Sequence, residues 1–442
     1  MSMSNQVPTM NQEPAKEATN GDAKRVKRAL LITFHFPPQS VSSGVQRSLS
    51  FTKDLPKFGW QPLVLSAMPI AYEETNPSQL ARIPKDVVVK RTFSFNAKRH
   101  LSIAGRYPEI IALPDRWVSW IVSAVPVGWS MIKRYRPQVI WTTFPISTTL
   151  LIGLCLKRLT GLPWVVDFRD PMLQPEYPTR PLQRKIYRWI EKNTINSCNK
   201  AMFTTMRACL AYQEQFPSCP REKFVVIENG YDEEEFVAAE KIKETTKKSE
   251  DHKIVLLHSG VLYAEGRDPS AFLGAIALLK ESGTLSKENF QVVLRAPGDL
   301  HYFMNLAIQY SVHDIVDVRA HLSYQEALIE MLSVDGLLLF QGTPYNHQIP
   351  AKVYEYLRAK KPILGLVDIV GDTADALRAF GLKDMANMNS IEEISLALKT
   401  FIEEIRIGKS CVPKQTVIEE ASRMHRARQL AMLFDELTNA KP

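Results

Sequence analysis

Short apolar runs alternate with longer segments of helical character over most of this chain. In the first half, runs typical of buried strands lie near residues 29–35, 62–66, 86–90, 138–144, 163–167, 200–204 and 224–228. The alternation restarts after residue 253, with strands predicted near residues 254–258, 291–295, 316–318, 336–340 and 363–367. Continuous apolar strands separated by helix-length segments are typical of a parallel sheet covered on both faces. The pattern therefore predicts an α/β protein with two doubly wound, Rossmann-like domains that face a central cleft.

The segments outside these runs set the expected domain boundaries. With 442 residues, the chain exceeds the roughly 250 to 300 residues at which one hydrophobic core stops growing. Residues 1–27 contain no apolar run, which indicates a disordered tail and no secretory signal. We expect a first domain at 28–235, a linker rich in Lys, Glu and Thr at 236–253, a second domain at 254–414 and a helical segment at 415–442.

Composition narrows the choice of compartment and partner. The five cysteines show no paired metal-ligand spacing, and an odd number argues against a complete disulfide framework, so a reducing cytoplasm fits best. The formal charge of +8 permits an anionic partner. Nucleic acid is not expected, because no recognised binding motif accompanies the charge.

A basic and aromatic segment lies between residues 91 and 136. It contains Arg91, Lys98, Arg99, Arg106, Tyr107, Arg116, Trp117, Trp120, Trp129, Lys133, Arg134 and Arg136. The uncharged run from Trp117 to Ile132 has 16 residues, fewer than the roughly 20 that span a bilayer. Two interpretations stay open. The segment lies on the inner face of a membrane, or its tryptophans pack in the core and its charges are solvated.

Near residue 350, a polar loop separates two apolar strands. Pro350 suits the first turn of a helix, and Glu355 follows one turn later. A helix N-terminus attracts phosphate through its N–H groups and its dipole, and a carboxylate beside it can accept hydrogen bonds from ribose hydroxyls. The segment therefore has the features that nucleoside diphosphate recognition needs.

The segment from Pro350 to Leu357 resembles the donor-binding signature of retaining GT-B glycosyltransferases, the large group 1 or family 4-like type. Further matches follow in the order of that family, at Phe36–Arg47, Asp167–Pro171, Glu228–Asp232, Ser259–Gly260 and Arg267–Pro269. The resemblance implies a GT-B fold with the acceptor on the first domain, the donor on the second, and a C-terminal segment that crosses back to the first. It implies transfer of a sugar, most simply from a UDP-sugar, to an acceptor hydroxyl with retained configuration. The product would be a polysaccharide or a glycoconjugate such as a glycolipid, so the acceptor is soluble or lipid-linked.

The same resemblance assigns residues to the site. The residues expected on the donor side are Gly44, Gly260, Arg267, His347, Ile349, Pro350, Ala351, Lys352 and Glu355. The candidates for catalysis are Asp167, Asp170 and Arg267, and those for the acceptor side are Ser43, Arg47 and Asp170. Arg267 would neutralise the diphosphate leaving group. The two aspartates have an alternative interpretation, because an Asp-Arg-Asp cluster is also a common internal salt bridge.

Two positions depart from the pattern of the family. Val261 stands where many relatives carry a cation, and Lys352 or Arg295 would have to supply the missing charge. His347 stands where relatives carry a glutamate. The chain contains no Asp-x-Asp motif, so we expect neither a metal nor a cofactor. Two alternatives to a glycosyltransferase remain open. One is a nucleotide-sugar epimerase of the same fold, and the other is a non-catalytic binding or scaffold protein.

Overall fold

The computed structural model describes residues 26–40, 43–100, 109–174, 177–244, 253–263 and 266–439. It divides into two compact units. Unit 1 extends to Glu228 and includes the chain again from Ala427, and unit 2 runs from Asn229 to Arg426. The division after Glu228 precedes the boundary that we predicted at residue 235. Residues 1–25 of the predicted tail lie outside the described residues.

Unit 1 contains a seven-stranded parallel sheet with the strand order β3-β2-β1-β4-β5-β6-β7. Its strands are β1 (Lys27–Ile32), β2 (Trp60–Ala67), β3 (Val88–Thr92), β4 (Val139–Phe144), β5 (Trp164–Phe168), β6 (Lys200–Phe203) and β7 (Phe224–Val226). Its helices are α1 (Ser43–Asp54), α2 (Ala97–His100), α3 (Trp120–Tyr135), α4 (Ser147–Thr160), α5 (Pro181–Ser197) and α6 (Met206–Gln215). Leu30 of β1 is in register with Leu63 of β2 and with Ile140 of β4.

Alternate residues of these strands build two separate cores in unit 1. Leu30 of β1 belongs to a core that α3, α4 and α5 cover, whereas Leu31 belongs to a core on the opposite face. Because side chains alternate across a strand, an uninterrupted apolar run supplies both cores at once. The second core also contains Leu430 and Phe434, so the final stretch of the chain covers that face of the sheet.

Unit 2 contains a six-stranded parallel sheet with the strand order β10-β9-β8-β11-β12-β13. Its strands are β8 (Ile254–Ser259), β9 (Phe290–Arg295), β10 (Val316–Arg319), β11 (Gly336–Gln341), β12 (Ile363–Val367) and β13 (Met385–Asn387). Its helices are α7 (Glu233–Glu244), α8 (Ser270–Glu281), α9 (Leu300–Gln309), α10 (Tyr324–Ser333), α11 (Lys352–Ala359), α12 (Asp372–Ala379), α13 (Ile391–Arg406) and α14 (Gln415–Glu420). The last helix, α15 (Arg423–Asn439), begins in unit 2 and continues into unit 1.

The predicted linker at 236–253 is helical as far as Glu244, which corrects that prediction. Phe236 and Ala239 of α7 are buried in a core of unit 2. Glu233 and Glu240 both pair with Arg358 of α11. The segment looked like a linker because its many charges obscured two apolar positions about one turn apart.

Three smaller differences concern one short strand and the ends of two helices. The three-residue strand β13 was not predicted, because so short a run carries no periodicity. Helix α11 begins at Lys352, so Pro350 lies just outside its first turn. The helical pattern of residues 415–442 is divided by a break at Ala421 and Ser422.

Candidate functional site

The strand order of unit 2 reverses between β8 and β11. Ligands of open parallel sheets bind beyond the carboxyl ends of the strands at such a point. Gly260 follows β8 there, and Gln341 ends β11. Helix α11 lies against the same region. The hydroxyl of its Tyr356 accepts a hydrogen bond of 3.0 Å from the backbone N–H of Ser259, the last residue of β8. The fold thus assembles the predicted donor segments at one edge of one sheet.

Lys352 lies against Gly260. Gly260 has a positive φ of 121°, and a Cβ atom added to it would lie 2.8 Å from Nζ of Lys352. The ammonium group also faces the ring of His258, with 3.3 Å between Nζ and Nε2. Nδ1 of His258 lies 3.0 Å from the carbonyl oxygen of Leu338, so that nitrogen donates and leaves Nε2 as the acceptor for Lys352.

The electrostatics of this pair favour a neutral imidazole. Burial, and then the charge of Lys352, lower the pKa of His258 well below its ordinary value. Burial, and then the charge of Arg267, lower the pKa of Lys352 to about 7, although Glu355 opposes this shift. Lys352 is therefore only partly protonated near neutral pH, and an anionic ligand would favour its charged form.

Arg267 is held beside this pair by a side chain of β11. Its Nε donates to Oε1 of Gln341 over 2.9 Å, and its guanidinium faces the rings of Tyr263 and Tyr345 at 5.4 and 5.2 Å. Burial lowers the pKa of Arg267, although an arginine keeps its charge. Asp268 lies two residues before α8, which begins at Ser270. Its carboxylate accepts from the backbone N–H of Ser270.

Glu355 lies one turn into α11 and is half-buried. Its Oε1 accepts a hydrogen bond of 2.9 Å from the hydroxyl of Tyr324, at the start of α10. Burial raises the pKa of Glu355, and the charge of Arg423 opposes that shift. Arg423 in turn lies 3.9 Å from Asp232. The second oxygen of the carboxylate is the group available to accept from a ligand hydroxyl.

The remaining predicted donor residues lie on the loop that enters α11. His347 is exposed, Ile349 packs partly against a core, Pro350 accepts from the N–H of Val353, and Ala351 is the last residue before the helix. Arg295, which we considered as a substitute for the cation missing at Val261, is instead bound to Glu330 by two hydrogen bonds of 2.9 and 2.6 Å. Lys352 is therefore the better substitute.

In unit 1 the strand order reverses between β1 and β4. Arg169, which follows β5, donates through Nε to the carbonyl oxygen of Phe144, and its Nη2 lies 3.0 Å from Nδ1 of His35. A Cβ atom on Gly44 would lie 2.0 Å from Nη1 of Arg169, so only glycine admits the guanidinium there. Gly44, predicted on the donor side, therefore makes room for the guanidinium of Arg169 at the edge of unit 1.

Asp170 and His35 are two titratable groups at this edge. Burial raises the pKa of Asp170, and the neighbouring Arg169 opposes the shift. Burial, together with the charge of Arg169, lowers the pKa of His35 to about 3, so the ring is neutral at ordinary pH. Asp170, predicted for catalysis and for the acceptor side, is half-buried and lies where a ligand of this sheet would bind.

Arg47 and Asp167 occupy the interior of unit 1. The guanidinium binds both oxygens of the fully buried Asp167, with distances of 2.8 and 3.0 Å, and also donates to the carbonyl oxygens of Ile227 and Glu228. This geometry favours the internal salt bridge over the catalytic interpretation of Asp167 and the acceptor interpretation of Arg47, although the partner is Arg47 and not Arg169. Ser43 begins α1, and its side chain lies outside the described part of the chain.

Several residues at these two edges were missed from the sequence. His258 interrupts the apolar run of β8, and His35 directly precedes the Phe-Pro-Pro segment, so each gave a signal that could have been used. Tyr324 and Gln341 gave none, because their roles depend on the position of α11 and of the loop containing Arg267. Among the residues that the structure describes, no group of three His, Cys, Asp or Glu side chains could hold a metal ion.

Two Rossmann-like units of parallel sheet, each with helices on both faces, define the GT-B class of fold. Residues 53–230, less than half of the chain, match the family described as the glycosyl transferase 4-like domain. The matched residues lie almost entirely in unit 1. A search of curated proteins gave no significant match.

Solved structures show the same fold at low sequence identity. Sucrose-phosphate synthase (tll1590) from Thermosynechococcus elongatus is 13% identical with a TM-score of 0.64, over 94% of this chain and 100% of that one. Anabaena Alr3699/HepE in complex with UDP is 11% identical with a TM-score of 0.58, over 93% and 97%. UDP-GlcNAc 2-epimerase from Neisseria meningitidis, bound to UDP-GlcNAc, is 11% identical with a TM-score of 0.53, over 93% and 100%. These similarities establish the fold.

Proposed function

We propose that the protein transfers a sugar from a nucleotide diphosphate sugar, most simply a UDP-sugar, to an acceptor hydroxyl with retained configuration. The observation that carries the proposal is the convergence of Arg267, Lys352 and Glu355 at the edge of unit 2. Two cations suit a diphosphate, and a carboxylate one turn into a helix suits the ribose hydroxyls. That HepE and the epimerase were solved with UDP and UDP-GlcNAc supports the choice of nucleotide.

Arg267 and Lys352 would receive the negative charge that develops on the leaving diphosphate. Cationic side chains already held in position stabilise such charge without reorganising in the transition state. His258 and Gln341 hold these cations from behind, at 3.3 and 2.9 Å. In unit 1, the half-buried Asp170 is the group that we assign to the acceptor side.

Replacement of Glu355 by glutamine tests the ribose assignment. A neutral amide accepts more weakly than a carboxylate, so the loss of one charge-assisted hydrogen bond should weaken UDP binding by about 10- to 150-fold. Isothermal calorimetry with UDP measures this directly, and the exposed Glu392→Gln is the matched control. Equal UDP affinity in wild type and Glu355→Gln would exclude the ribose contact.

A second candidate function is a nucleotide-sugar epimerase, because one of the solved structures with this fold is such an enzyme. A panel of nucleotide sugars, incubated with and without acceptor sugars, separates the possibilities by free nucleotide and product mass. A transferase consumes the donor and adds its sugar to an acceptor. An epimerase changes the sugar without any acceptor, and a binding protein leaves the donor intact.

We also propose that turnover requires no divalent metal ion. Arg267, Lys352 and the N-terminus of α11 supply positive charge where a metal would otherwise neutralise the diphosphate. Turnover should therefore persist in EDTA at the rate measured without it. Loss of turnover in EDTA, with recovery on addition of Mg²⁺ or Mn²⁺, would contradict this expectation.

Peripheral membrane contact remains a proposal, supported by part of the predicted segment. Trp120 is fully buried and Trp117 packs against a core, which favours the core interpretation for these two tryptophans. Trp129 is 42% exposed and Val122 79% exposed on the outer face of α3. Phe93 and Phe95 are exposed beside that helix. The backbone N–H of Phe95 donates to the hydroxyl of Ser119, which directly precedes α3.

Basic residues border this exposed apolar face. Nζ of Lys133 lies 3.5 Å from the ring centre of Trp129, and Arg134 is exposed next to it. Cations beside an aromatic ring suit an anionic lipid surface. Arg106 of the predicted segment lies outside the described residues, and no helix among the described residues is long and apolar enough to cross a membrane. We propose a cytoplasmic protein that binds the inner face of the membrane through α3.

Flotation with acidic liposomes tests this proposal. Each cation near such a surface contributes about 1 kcal/mol, so Lys133→Glu with Arg134→Glu should release most of the bound protein. High salt should have the same effect by screening. The pair Lys409→Glu and Lys414→Glu, exposed in unit 2, makes the same change in net charge and serves as the control. Equal recovery of both variants with the liposomes would leave Trp129 with a purely structural role.

A further inference from the structure

Unit 1 contains a cavity of about 330 Å³, and none of the candidate site residues described above lines it. It lies at the point where the strand order reverses, since Pro145 and Ile146, which follow β4, form part of its wall. Its volume is at the small end of the roughly 300 to 1,000 Å³ typical of ligand sites. A cavity of this volume suits a single small ring with one substituent better than a nucleotide sugar.

The cavity combines cations with aromatic rings. Its wall includes Lys98, Arg116, Arg180, Trp117, Tyr177 and Tyr187. The Arg116 guanidinium is paired with Glu73 and lies 4.9 Å from the ring centre of Trp117. Aromatic faces suit the apolar face of a sugar ring, and guanidinium and ammonium groups suit a phosphate.

The acidic residue in the wall does not cancel this charge pattern. Asp115 accepts from the N–H and the hydroxyl of Thr148, each at 2.8 Å, and from the N–H of Trp117 at 3.0 Å. Its oxygens are thus engaged in holding the start of α4 against the segment that carries Arg116 and Trp117. Asp115 therefore shapes the cavity. A second carboxylate, Glu73, pairs with Arg116, so a phosphate in the cavity would meet Lys98 and Arg180 and would share Arg116 with Glu73.

Two helices begin at the wall of this cavity. Ile146 immediately precedes α4, and Arg180 immediately precedes α5 without capping it by a side chain. Gln183, in the first turn of α5, fixes that helix by donating to the carbonyl oxygen of Pro114 over 3.2 Å. The N-terminus of α5 adds positive potential to that of the cations, whereas the carboxylate of Asp115 already binds the first turn of α4. The cavity, the cations and the start of α5 favour the same kind of ligand.

We infer that this cavity binds a phosphate-bearing acceptor, with the phosphate against Lys98, Arg116 and Arg180 and a sugar or polyol ring against Trp117 and Tyr177. The inference rests on the proposed transferase function and specifies its acceptor class. The phosphate is carried by a soluble sugar phosphate or by the headgroup of a lipid. In both cases the group recognised is a phosphate ester beside hydroxyls.

Calorimetry of the full chain with glucose 6-phosphate and with glucose tests the inference for a soluble source. Wild type should bind the phosphorylated sugar at least about tenfold more tightly, since each charge-assisted hydrogen bond contributes about that factor. The variant Lys98→Gln with Arg180→Gln should lose this preference, whereas Lys185→Gln with Arg188→Gln, exposed on α5 outside the cavity, should keep it. Flotation with vesicles containing phosphatidylinositol phosphate tests the lipid source with the same variants.

UDP affinity, measured on the same samples, separates this inference from the proposed function. Loss of phosphate binding by the cavity variant with unchanged UDP affinity supports the inference, and the probe that shows the loss identifies the source. Equal affinity for glucose and glucose 6-phosphate, together with equal flotation of both variants, overturns it while UDP binding stands. Absence of UDP binding in wild type overturns the donor assignment itself.

Discussion

Replacement of Arg47 by methionine is expected to lower the free energy of unfolding of unit 1 by about 3 to 5 kcal/mol. Asp167 is fully buried, and Arg47 binds both of its oxygens at 2.8 and 3.0 Å. Methionine fills similar space but leaves a buried carboxylate and the carbonyl oxygens of Ile227 and Glu228 without this donor. The cost arises chiefly from the uncompensated charge and exceeds the net contribution of the intact pair.

Intrinsic fluorescence follows this unfolding selectively. All seven tryptophans of the chain lie in unit 1, so their emission during urea denaturation reports that unit alone. The exposed Arg158→Met, in the same unit, is the matched control and should change stability by less than about 0.5 kcal/mol. Adding Asp167→Leu to Arg47→Met should recover much of the loss, because an apolar pair removes the buried charge.

The same experiment decides between the two interpretations of Arg47 and Asp167. If Arg47 served the acceptor, Arg47→Met would unfold at the same urea concentration as wild type and would lose activity only. Unchanged stability with reduced transfer would therefore contradict the structural interpretation and restore the one drawn from the sequence.

Replacement of Arg267 by glutamine should lower kcat by about 10²- to 10³-fold, as expected when one preorganised group that stabilises transition-state charge is removed. Glutamine removes the charge that we propose for stabilising the leaving diphosphate, and Gln341 and the rings of Tyr263 and Tyr345 remain in place. Transfer is measured as UDP release at saturating donor and acceptor. Arg319→Gln, whose side chain is 41% exposed and paired with Asp317, is the control and should retain full activity.

A pH profile of the same variants separates the two cations. The pKa of Lys352 is lowered to about 7 by burial and by Arg267, so its charge is present below that pH and is lost above it. The diphosphate of a nucleotide sugar keeps its charge across this range, and donor affinity should therefore fall as the pH rises through about 7. In Arg267→Gln this fall should shift to higher pH, because the repulsion between the cations is removed. A pH-independent affinity in both proteins would exclude Lys352 as a phosphate contact.

Much of the fold could be read from local patterns. Twelve strands lie close to predicted apolar runs, because a strand buried on both faces needs an uninterrupted apolar sequence wherever it lies. Helix α7 was missed for the opposite reason. It presents many charges to solvent, and Phe236 and Ala239 are its only fully buried apolar side chains.

The proximity of the residues that we propose for the donor side was also predictable from the sequence. Lys352 and Glu355 lie three positions apart on one helix, and Gly260 and Arg267 lie seven apart around one loop, so each pair is set by local geometry. The short spacing within each pair sets how its two residues lie relative to each other, because a helix turn and a strand end fix their directions locally.

Only the tertiary structure decided the roles that depend on distant partners. Arg47 meets Asp167 across 120 positions of sequence, and Lys352 meets His258 across 94. The cavity beside Arg116 likewise combines residues of α2, of the turn after β4 and of α5. Sequence reasoning placed Arg47 on the acceptor side because an arginine early in a helix looks the same whether it faces solvent, a ligand or a buried carboxylate. The choice among these depends on which strands are neighbours, and the sheet order that sets this arises from the packing of the whole unit.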